Sequence, residues 1–306
     1  MKELINNLYK INVTSFIKIS DKVYKIKSDD KNYILKYIDN NNLNMIIEKL
    51  NIVKIDTIYF PILNTNNEYI SKYENYSFVI YNFLEEEKTS LNDLKLKFYL
   101  NELANLHNKT YYPLKVNDSF FKDTYEYIGK LIDDKEKVIK DYMEYIENTN
   151  YKSPSEWLFL LNYPTYIKCI DEANEALEKF KNISYKKSNV RMAFTFNNFD
   201  YKHIFLKESK IIGVDNIRLS SPVYDIFYTL SVIENSNVDI KSYYLKYFKT
   251  FILEDYEKEW LYSLLYIPNL NISNDECLNI KNITNSLEYI KSSYEIIGTL
   301  KDLDFK

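Results

Sequence analysis

The sequence predicts an α+β protein made of a small, strand-rich N-terminal lobe and a larger helical C-terminal lobe. Short β-branched and aromatic runs between polar turns fill the first part of the chain, and apolar residues at helical spacing dominate the remainder. With 306 residues, 46% of them hydrophobic, the chain can bury a sizeable core in one or two domains. We place the lobes at residues 1–85 and 86–306.

The N-terminal lobe is predicted to be an antiparallel sheet, because its strand-like runs are short and are joined by polar turns. The predicted strands cover residues 16–20, 23–28, 32–38, 67–73 and 76–84. A helix is predicted near residues 41–51, and the acidic run at 85–90 is predicted to be a solvated connector.

The C-terminal lobe is predicted to be helical with one strand-rich island. Helices are predicted over 91–107, over several stretches of 119–182 interrupted near Ser153–Pro154 and Pro164, and over 222–234, 238–266 and 280–297. The island covers 192–219 and contains a predicted hairpin near 203–215. A strand-rich lobe followed by a helical lobe with such an island is the layout of protein kinase-like folds.

Composition excludes several classes of function. Forty basic residues against forty-four acidic ones, with no basic stripe, argue against nucleic-acid binding. The chain has no apolar run of the roughly 20 residues that a membrane helix needs, and Asn and Lys interrupt the N-terminal segment, which is atypical of a signal peptide. Cys169 and Cys277 lie far apart, so we expect synthesis in a reducing cytoplasm without disulfides or structural zinc.

Lys36 is the first candidate for a chemical role. It shares one largely apolar face of the predicted strand 32–38 with Ile34 and Ile38. Its ammonium group therefore needs a partner or must extend to water. In kinase-like folds the lysine of this strand contacts nucleotide phosphates and a carboxylate of the next helix. Glu48 is the candidate carboxylate, and a solvated helical glutamate is the alternative interpretation.

Asp215 is the second candidate. It ends the apolar run KIIGVD at 210–215, and a carboxylate at the end of a strand beside a cleft suits a hard divalent cation. Because aspartate also commonly begins turns through local hydrogen bonds, a purely structural role is an equal alternative for the residue taken alone.

The segment FTFNNFDYKHIFLKESKIIGVDNIRLSSPVYDIFYTL (194–230) resembles the catalytic region of the spore coat protein CotS family, a branch of the aminoglycoside phosphotransferase superfamily. Weaker similarity extends over 23–38, 103–110 and 260–269. The resemblance implies a two-lobed kinase-like fold and binding of ATP and Mg²⁺, with Lys36 and Glu48 on the nucleotide side and Asp215 as a metal ligand. It also implies that Asp225 ties a helix to the catalytic loop and that His107 has a structural role in the core.

The sequence departs from the family pattern at two catalytic positions. The family's His-Gly-Asp falls on Phe196, Asn197 and Asn198, and its metal-binding asparagine falls on His203. An amide at position 198 cannot act as a useful proton acceptor, and imidazole suits magnesium poorly. Asp200 is either a substitute base in a remodelled loop or a residue that makes local turn contacts.

Three functions follow from the resemblance. The first is a pseudokinase with a structural or scaffolding role in the spore coat, whose partners are other coat proteins. The second is an active ATP-dependent small-molecule phosphotransferase with a non-standard base. The third is a nucleotide-binding switch without catalysis. The 31 tyrosines of the chain permit the protein contacts that the first function requires.

Overall fold

The computed structural model describes residues 1–39, 42–85, 91–117, 119–233 and 239–304, so most of the predicted acidic connector lies outside the described residues. The chain forms two compact units. The first combines Met1–Tyr99 with Asp200–Arg218, and the second combines Leu100–Phe199 with Leu219–Lys306. The Asp200–Arg218 segment belongs to the first unit, where the backbone of Ile211 is hydrogen-bonded to Thr57 and Tyr59.

The first unit contains a five-stranded antiparallel sheet, as predicted. Its strands are β1 (Val13–Lys18), β2 (Val23–Ser28), β3 (Asn32–Ile38), β4 (Ser71–Tyr73) and β5 (Tyr76–Asn82), in the order β1-β2-β3-β5-β4. The predicted strand 67–73 forms only over its last three residues. The Asn64 side chain accepts hydrogen bonds from the backbone N–H groups of Asn66 and Glu68, and this local turn takes up donors that a strand would use.

One face of this sheet packs into a buried core. It contributes Ile26, Leu35 and Phe78 to that core. Ile5, from helix α1 (Lys2–Tyr9), joins the same core. Helix α1 is not evident from the sequence, because an eight-residue helix is too short for a clear periodic signal. Helix α2 (Leu43–Ile52) follows β3 near its predicted position.

A hairpin from the later part of the chain completes the first unit. Strands β8 (Ile204–Phe205) and β9 (Lys210–Ile211) pair antiparallel. The backbone of Ile211 donates to the Thr57 carbonyl at 2.7 Å and accepts from the Tyr59 N–H at 2.8 Å. Gly213 then adopts a left-handed conformation with φ 99°, which a side chain would strain, and delivers Asp215 into a short 3-10 turn.

The second unit is mainly helical. Its principal elements are α3 (Asn92–Thr110, which begins in the first unit), β6 (Tyr112–Lys115), α4 (Phe120–Glu147), α5 (Pro154–Ser184), β7 (Asn189–Thr195), β10 (Arg218–Ser220), α6 (Pro222–Val232), α7 (Ile240–Thr250), α8 (Asp255–Leu265) and α9 (Glu276–Asp304). Strands β10, β7 and β6 form a small sheet in that order. None of the helices in the described ranges is long and apolar enough to cross a membrane.

Prolines and caps explain where the helix boundaries agree with the prediction and where they differ. The predicted break at Ser153–Pro154 is confirmed, because Ser153 caps α5 in a reciprocal capping box with Glu156. The predicted break at Pro164 is wrong, since α5 continues through it. The predicted helix 238–266 is divided in two, because Glu254 forms a new N-cap for α8.

Candidate functional site

The ion pair between Lys36 and Asp215 is the centre of the candidate site in the first unit. Lys36 Nζ lies 2.7 Å from Asp215 Oδ2, and the side chains are 26% and 8% exposed, respectively. Strand β3 fixes the position of the lysine, and the turn that follows β9 fixes the position of the carboxylate. The two residues that the sequence selected independently are therefore in direct contact.

A cavity of about 340 Å³ opens beside this pair. Its walls combine apolar residues of the sheet with residues of the 200–218 segment, and both Lys36 and Asp215 line it. The remaining lining includes Val23, Ile34, Tyr81, His203 and Phe205. A cavity of this size with mostly apolar walls and a few charged groups is typical of a small-molecule site.

Tyr81 forms part of the wall next to Asp215. Burial raises the pKa of the Tyr81 hydroxyl well above its ordinary value, and the negative charge of Asp215 raises it further. The Tyr81 ring stacks on that of Tyr59 with centroids 6.0 Å apart, and the Tyr59 hydroxyl donates to the carbonyl oxygen of Asn82 at 3.2 Å. Tyr81, stacked on Tyr59, therefore gives the Asp215 carboxylate a partly apolar surrounding.

His203 and Asp200 have different relationships to the cavity. His203 lines the cavity and is half-buried. Its backbone N–H donates to the Asp200 carbonyl, and its own carbonyl accepts a hydrogen bond from the Ile212 N–H. The Asp200 carboxylate accepts the backbone N–H of Lys202 at 2.8 Å and so caps the short 3-10 turn 201–203. This hydrogen bond agrees with the interpretation in which Asp200 makes local turn contacts.

Glu48 lies on an exposed position of α2. Among the described residues, the carboxylate that forms an ion pair with Lys36 is that of Asp215. Residues of α2 do contact the 3-10 turn that contains Asp215. The structure thus gives Lys36 a partner from the 200–218 segment in place of the helical glutamate that the sequence suggested.

Asn198 belongs to the second unit and is exposed there. The preceding residue, Asn197, has a left-handed backbone with φ 49°, an uncommon conformation that asparagine tolerates better than most residues. Its backbone N–H donates to Asp225 Oδ1 at 2.5 Å, and its side chain donates to Ser220 Oγ at 3.0 Å. The loop around Asn198 is therefore held in one conformation by its neighbours.

Asp225 organises the loop from the start of α6. Its Oδ2 accepts the backbone N–H of Phe196 at 2.9 Å and lies 3.0 Å from Nε2 of His107, whose Nδ1 lies 2.6 Å from the Tyr247 hydroxyl. All of these polar atoms belong to the second unit. The arrangement agrees with the structural roles expected for Asp225 and His107.

A buried ion pair that the sequence did not reveal involves Arg191, in the strand that precedes the same loop. The Arg191 guanidinium binds both carboxylate oxygens of Glu257, which is fully buried. Burial raises the pKa of Glu257, and the adjacent arginine opposes that rise. Arg191 also lies over the Phe251 ring, 4.4 Å from its centroid. The chain has two arginines against many lysines. Because arginine is favoured in buried ion pairs, its presence at position 191 is the sequence signal that points to this pair.

The donor set at the cavity fits a magnesium ion that arrives with a nucleotide. Among the residues that the structure describes, no group of three or more His, Cys, Asp or Glu side chains could hold a metal ion. Magnesium is commonly held by one or two carboxylates together with substrate phosphates and water. Asp215 can supply such a carboxylate, and Lys36 can supply a positive charge to the phosphates.

Comparison with solved structures identifies the fold. An aminoglycoside phosphotransferase from Alicyclobacillus acidocaldarius superposes with a TM-score of 0.65 at 8% sequence identity, over 95% of this chain and 92% of that one. Spectinomycin phosphotransferase, solved with ADP and spectinomycin, gives a TM-score of 0.54 at 14% identity, over 98% and 96% of the two chains. Its complex with AMP gives the same TM-score at 15% identity, also over 98% and 96%.

The chain therefore has the aminoglycoside phosphotransferase-like fold, and the predicted fold class is confirmed. No protein-family model matches the sequence. The search of curated proteins likewise found no match.

Proposed function

We propose that this protein is a kinase-like protein that binds ATP and Mg²⁺ in the cavity beside Lys36 and transfers phosphate poorly or not at all. The observation that carries the proposal is the direct ion pair between Lys36 and Asp215 at the wall of that cavity. A cation and a carboxylate held together in a largely apolar pocket are the pair of charges that a nucleotide and its metal ion require.

Each residue then has a defined task in the complex. The Lys36 ammonium binds phosphate oxygens, and Asp215 binds the magnesium ion, which neutralises the charge on the phosphates. The apolar side chains of Val23 and Ile34 provide a surface for the nucleoside. The nucleotide complexes of spectinomycin phosphotransferase support this assignment, because that protein shares the fold and binds ADP and AMP.

Weak or absent transfer follows from the residues at the remaining catalytic positions. By resemblance, Asn198 occupies the position of the base, and an amide cannot take the proton of an acceptor hydroxyl. Asp200 is already used to cap the turn 201–203, which disfavours it as a replacement. His203 offers nitrogen where magnesium prefers oxygen. The alternative of an active phosphotransferase requires one of these residues to change its role.

The spore coat role is a separate part of the proposal and rests on the resemblance of residues 194–230 to the CotS family. We propose that the protein acts there as a structural or scaffolding component and contacts other coat proteins. Fractionation of spores from the source organism, followed by detection of the protein in the coat extract, tests this part. Its presence only in the soluble fraction of vegetative cells would contradict it.

Restoring the missing carboxylate tests the catalytic part. We expect the wild-type protein to show little ATP turnover across a panel of hydroxyl and amine acceptors, with magnesium or manganese. Asn198→Asp should raise turnover at least about tenfold, since general-base assistance is worth roughly 10²–10⁴ in rate. The change Asn148→Asp, at an exposed residue of the same unit, is the matched control and should have no effect.

Two results would contradict the catalytic part. One is brisk turnover by the wild-type protein that is lost on Asp200→Ala, which would make Asp200 the base. The other is an Asn198→Asp variant that binds ATP and magnesium as well as the wild type and yet remains as inactive, which would remove position 198 from the catalytic role.

A further inference from the structure

A second cavity, of about 580 Å³, lies at the end of the same sheet. Four tyrosines and three carboxylates line it together, and we call it the tyrosine pocket. Its members are Tyr24, Tyr37, Tyr73, Tyr76, Asp21, Asp39 and Glu74. All of them belong to the first unit.

The tyrosine pocket is on the face of the sheet opposite to Lys36. Tyr24 pairs across the strands with Leu35, and Tyr37 follows two residues later on β3, so the two rings share a face. Lys36 lies between Leu35 and Tyr37 and points to the other face. A ligand in the tyrosine pocket would therefore be separate from a nucleotide at the Lys36 cavity.

Neighbouring tyrosine rings of the pocket make edge-to-face contacts. Tyr24 and Tyr37 have centroids 6.0 Å apart and ring planes at 88°, and Tyr37 and Tyr76 have centroids 5.6 Å apart and planes at 61°. The three rings come from three different strands, β2, β3 and β5, whose pairing holds them in place. All three tyrosines line the one cavity, where their π systems can attract a cation.

The charged groups around the pocket favour a positive ligand. Three carboxylates line it, and Lys22 is the cation that lines it with them. The Lys22 ammonium lies 2.5 Å from Asp39 Oδ2, on an exposed part of the surface. Glu74 lies beside Tyr73, and its hydrogen bond with the hydroxyl raises the pKa of that tyrosine. Asp21 is likewise paired with a lysine, Lys18, at 2.8 Å, so Glu74 is the carboxylate of the lining whose negative charge these two lysines do not offset.

Glu74 occupies a position that glycine would normally fill. It is the first of two residues in the tight turn between β4 and β5, and its φ of 55° is in the left-handed region. A glutamate here carries a conformational cost that glycine would remove. Replacement by glycine therefore removes the carboxylate without straining the fold.

We propose that the tyrosine pocket is a binding site for an organic ammonium ion. The tyrosine faces attract the diffuse charge of such an ion, and the carboxylates at the rim favour its approach over that of neutral or anionic molecules.

Titration with tetramethylammonium chloride, followed by tyrosine fluorescence or by NMR, tests the proposal. Binding should saturate in the millimolar range, whereas tert-butanol, which is similar in size but neutral, should bind at least about tenfold more weakly. Sodium chloride at the same ionic strength is the control for screening. Equal binding of the neutral compound, or no saturable binding of tetramethylammonium, would overturn the proposal.

Variants locate the binding site. Tyr37→Leu should weaken tetramethylammonium binding at least about twofold. Tyr37→Phe, which keeps the aromatic ring, should bind the ion as the wild type does. Glu74→Gly should weaken binding while leaving the melting temperature unchanged or raised. If Tyr37→Leu and Glu74→Gly both bind like the wild type, the ion is bound elsewhere and the inference is wrong. Because the two faces are separate, these outcomes do not depend on nucleotide binding.

Discussion

Oδ2 of Asp225 lies 3.0 Å from Nε2 of His107, and both side chains are almost completely removed from solvent. The same carboxylate accepts the backbone N–H groups of Phe196 and Asn197. One buried residue of α6 therefore holds both a core histidine and the loop that leads to Asn198.

Asp225→Ala should destabilise the protein by about 3–5 kcal/mol, because the buried Phe196 N–H, the buried His107 ring and the part-buried Asn197 N–H lose their acceptor at once. Asp225→Asn should cost less, since its carbonyl oxygen can still accept some of these hydrogen bonds. Chemical denaturation of both variants measures the effect. Asp133→Ala, at an exposed helical position, is the matched control and should stay within about 0.5 kcal/mol of the wild type. A cost below about 1 kcal/mol for Asp225→Ala would contradict this account.

The pair between Arg191 and Glu257 should show strong coupling. Arg191→Met leaves a fully buried carboxylate without its cation and should cost about 3–5 kcal/mol. The double variant Arg191→Met/Glu257→Gln should be more stable than Arg191→Met alone, because the buried charge is gone while the hydrogen bond from the Glu254 N–H can persist. A double-mutant cycle from denaturation curves gives the coupling energy. Strictly additive single effects would show that the pair is not energetically linked.

The first unit shows how far local sequence patterns determine structure. Strands β2 and β3 form where the period-two alternation and polar turns place them. The break predicted at Pro164 fails because proline only weakens a helix locally, and α5 packs Tyr166, Ile170 and Ala173 into the core just beyond it. Local propensity is thus overridden where a buried face continues.

The candidate site shows the limit of the same patterns. Strand position alone was enough to select Lys36 and Asp215, because each lies within or after an apolar run. Their direct pairing could not be predicted, since it depends on the hairpin docking against Thr57 and Tyr59. The role of Tyr81 was also hidden, because a tyrosine in an apolar strand has the same pattern whether it packs in a core or lines a cavity.

Glu276 should make stability depend on pH. Its carboxylate accepts hydrogen bonds from Ser155 N–H and Oγ, both at 2.7 Å, and from Ser153 Oγ at 3.0 Å. These bonds lower the pKa of Glu276 below its usual range. Because the folded-state pKa is depressed, the stabilisation is present above the unfolded pKa of about 4.5 and is lost as the pH falls through the folded pKa.

The variant Glu276→Gln tests this dependence. At pH 7 it should be less stable than the wild type by roughly 1 kcal/mol, and the difference should shrink as the pH falls below about 4. Thermal denaturation of both proteins between pH 3 and pH 7 measures the difference. Glu144→Gln, at an exposed position of α4, controls for general charge effects. A difference that stays constant over this pH range would show that the ionised carboxylate is not responsible.

Binding of ATP and magnesium by the cavity beside Lys36 and Asp215 is most directly tested by a thermal-shift titration. A ligand at 100 times its dissociation constant stabilises a fold by about 2.7 kcal/mol, so the melting temperature of the wild type should rise by several degrees at millimolar nucleotide. Lys36→Met and Asp215→Asn should abolish the rise, and Lys72→Met, at an exposed residue of β4, should preserve it. No shift in the wild type, or the same shift in Lys36→Met, would contradict the account.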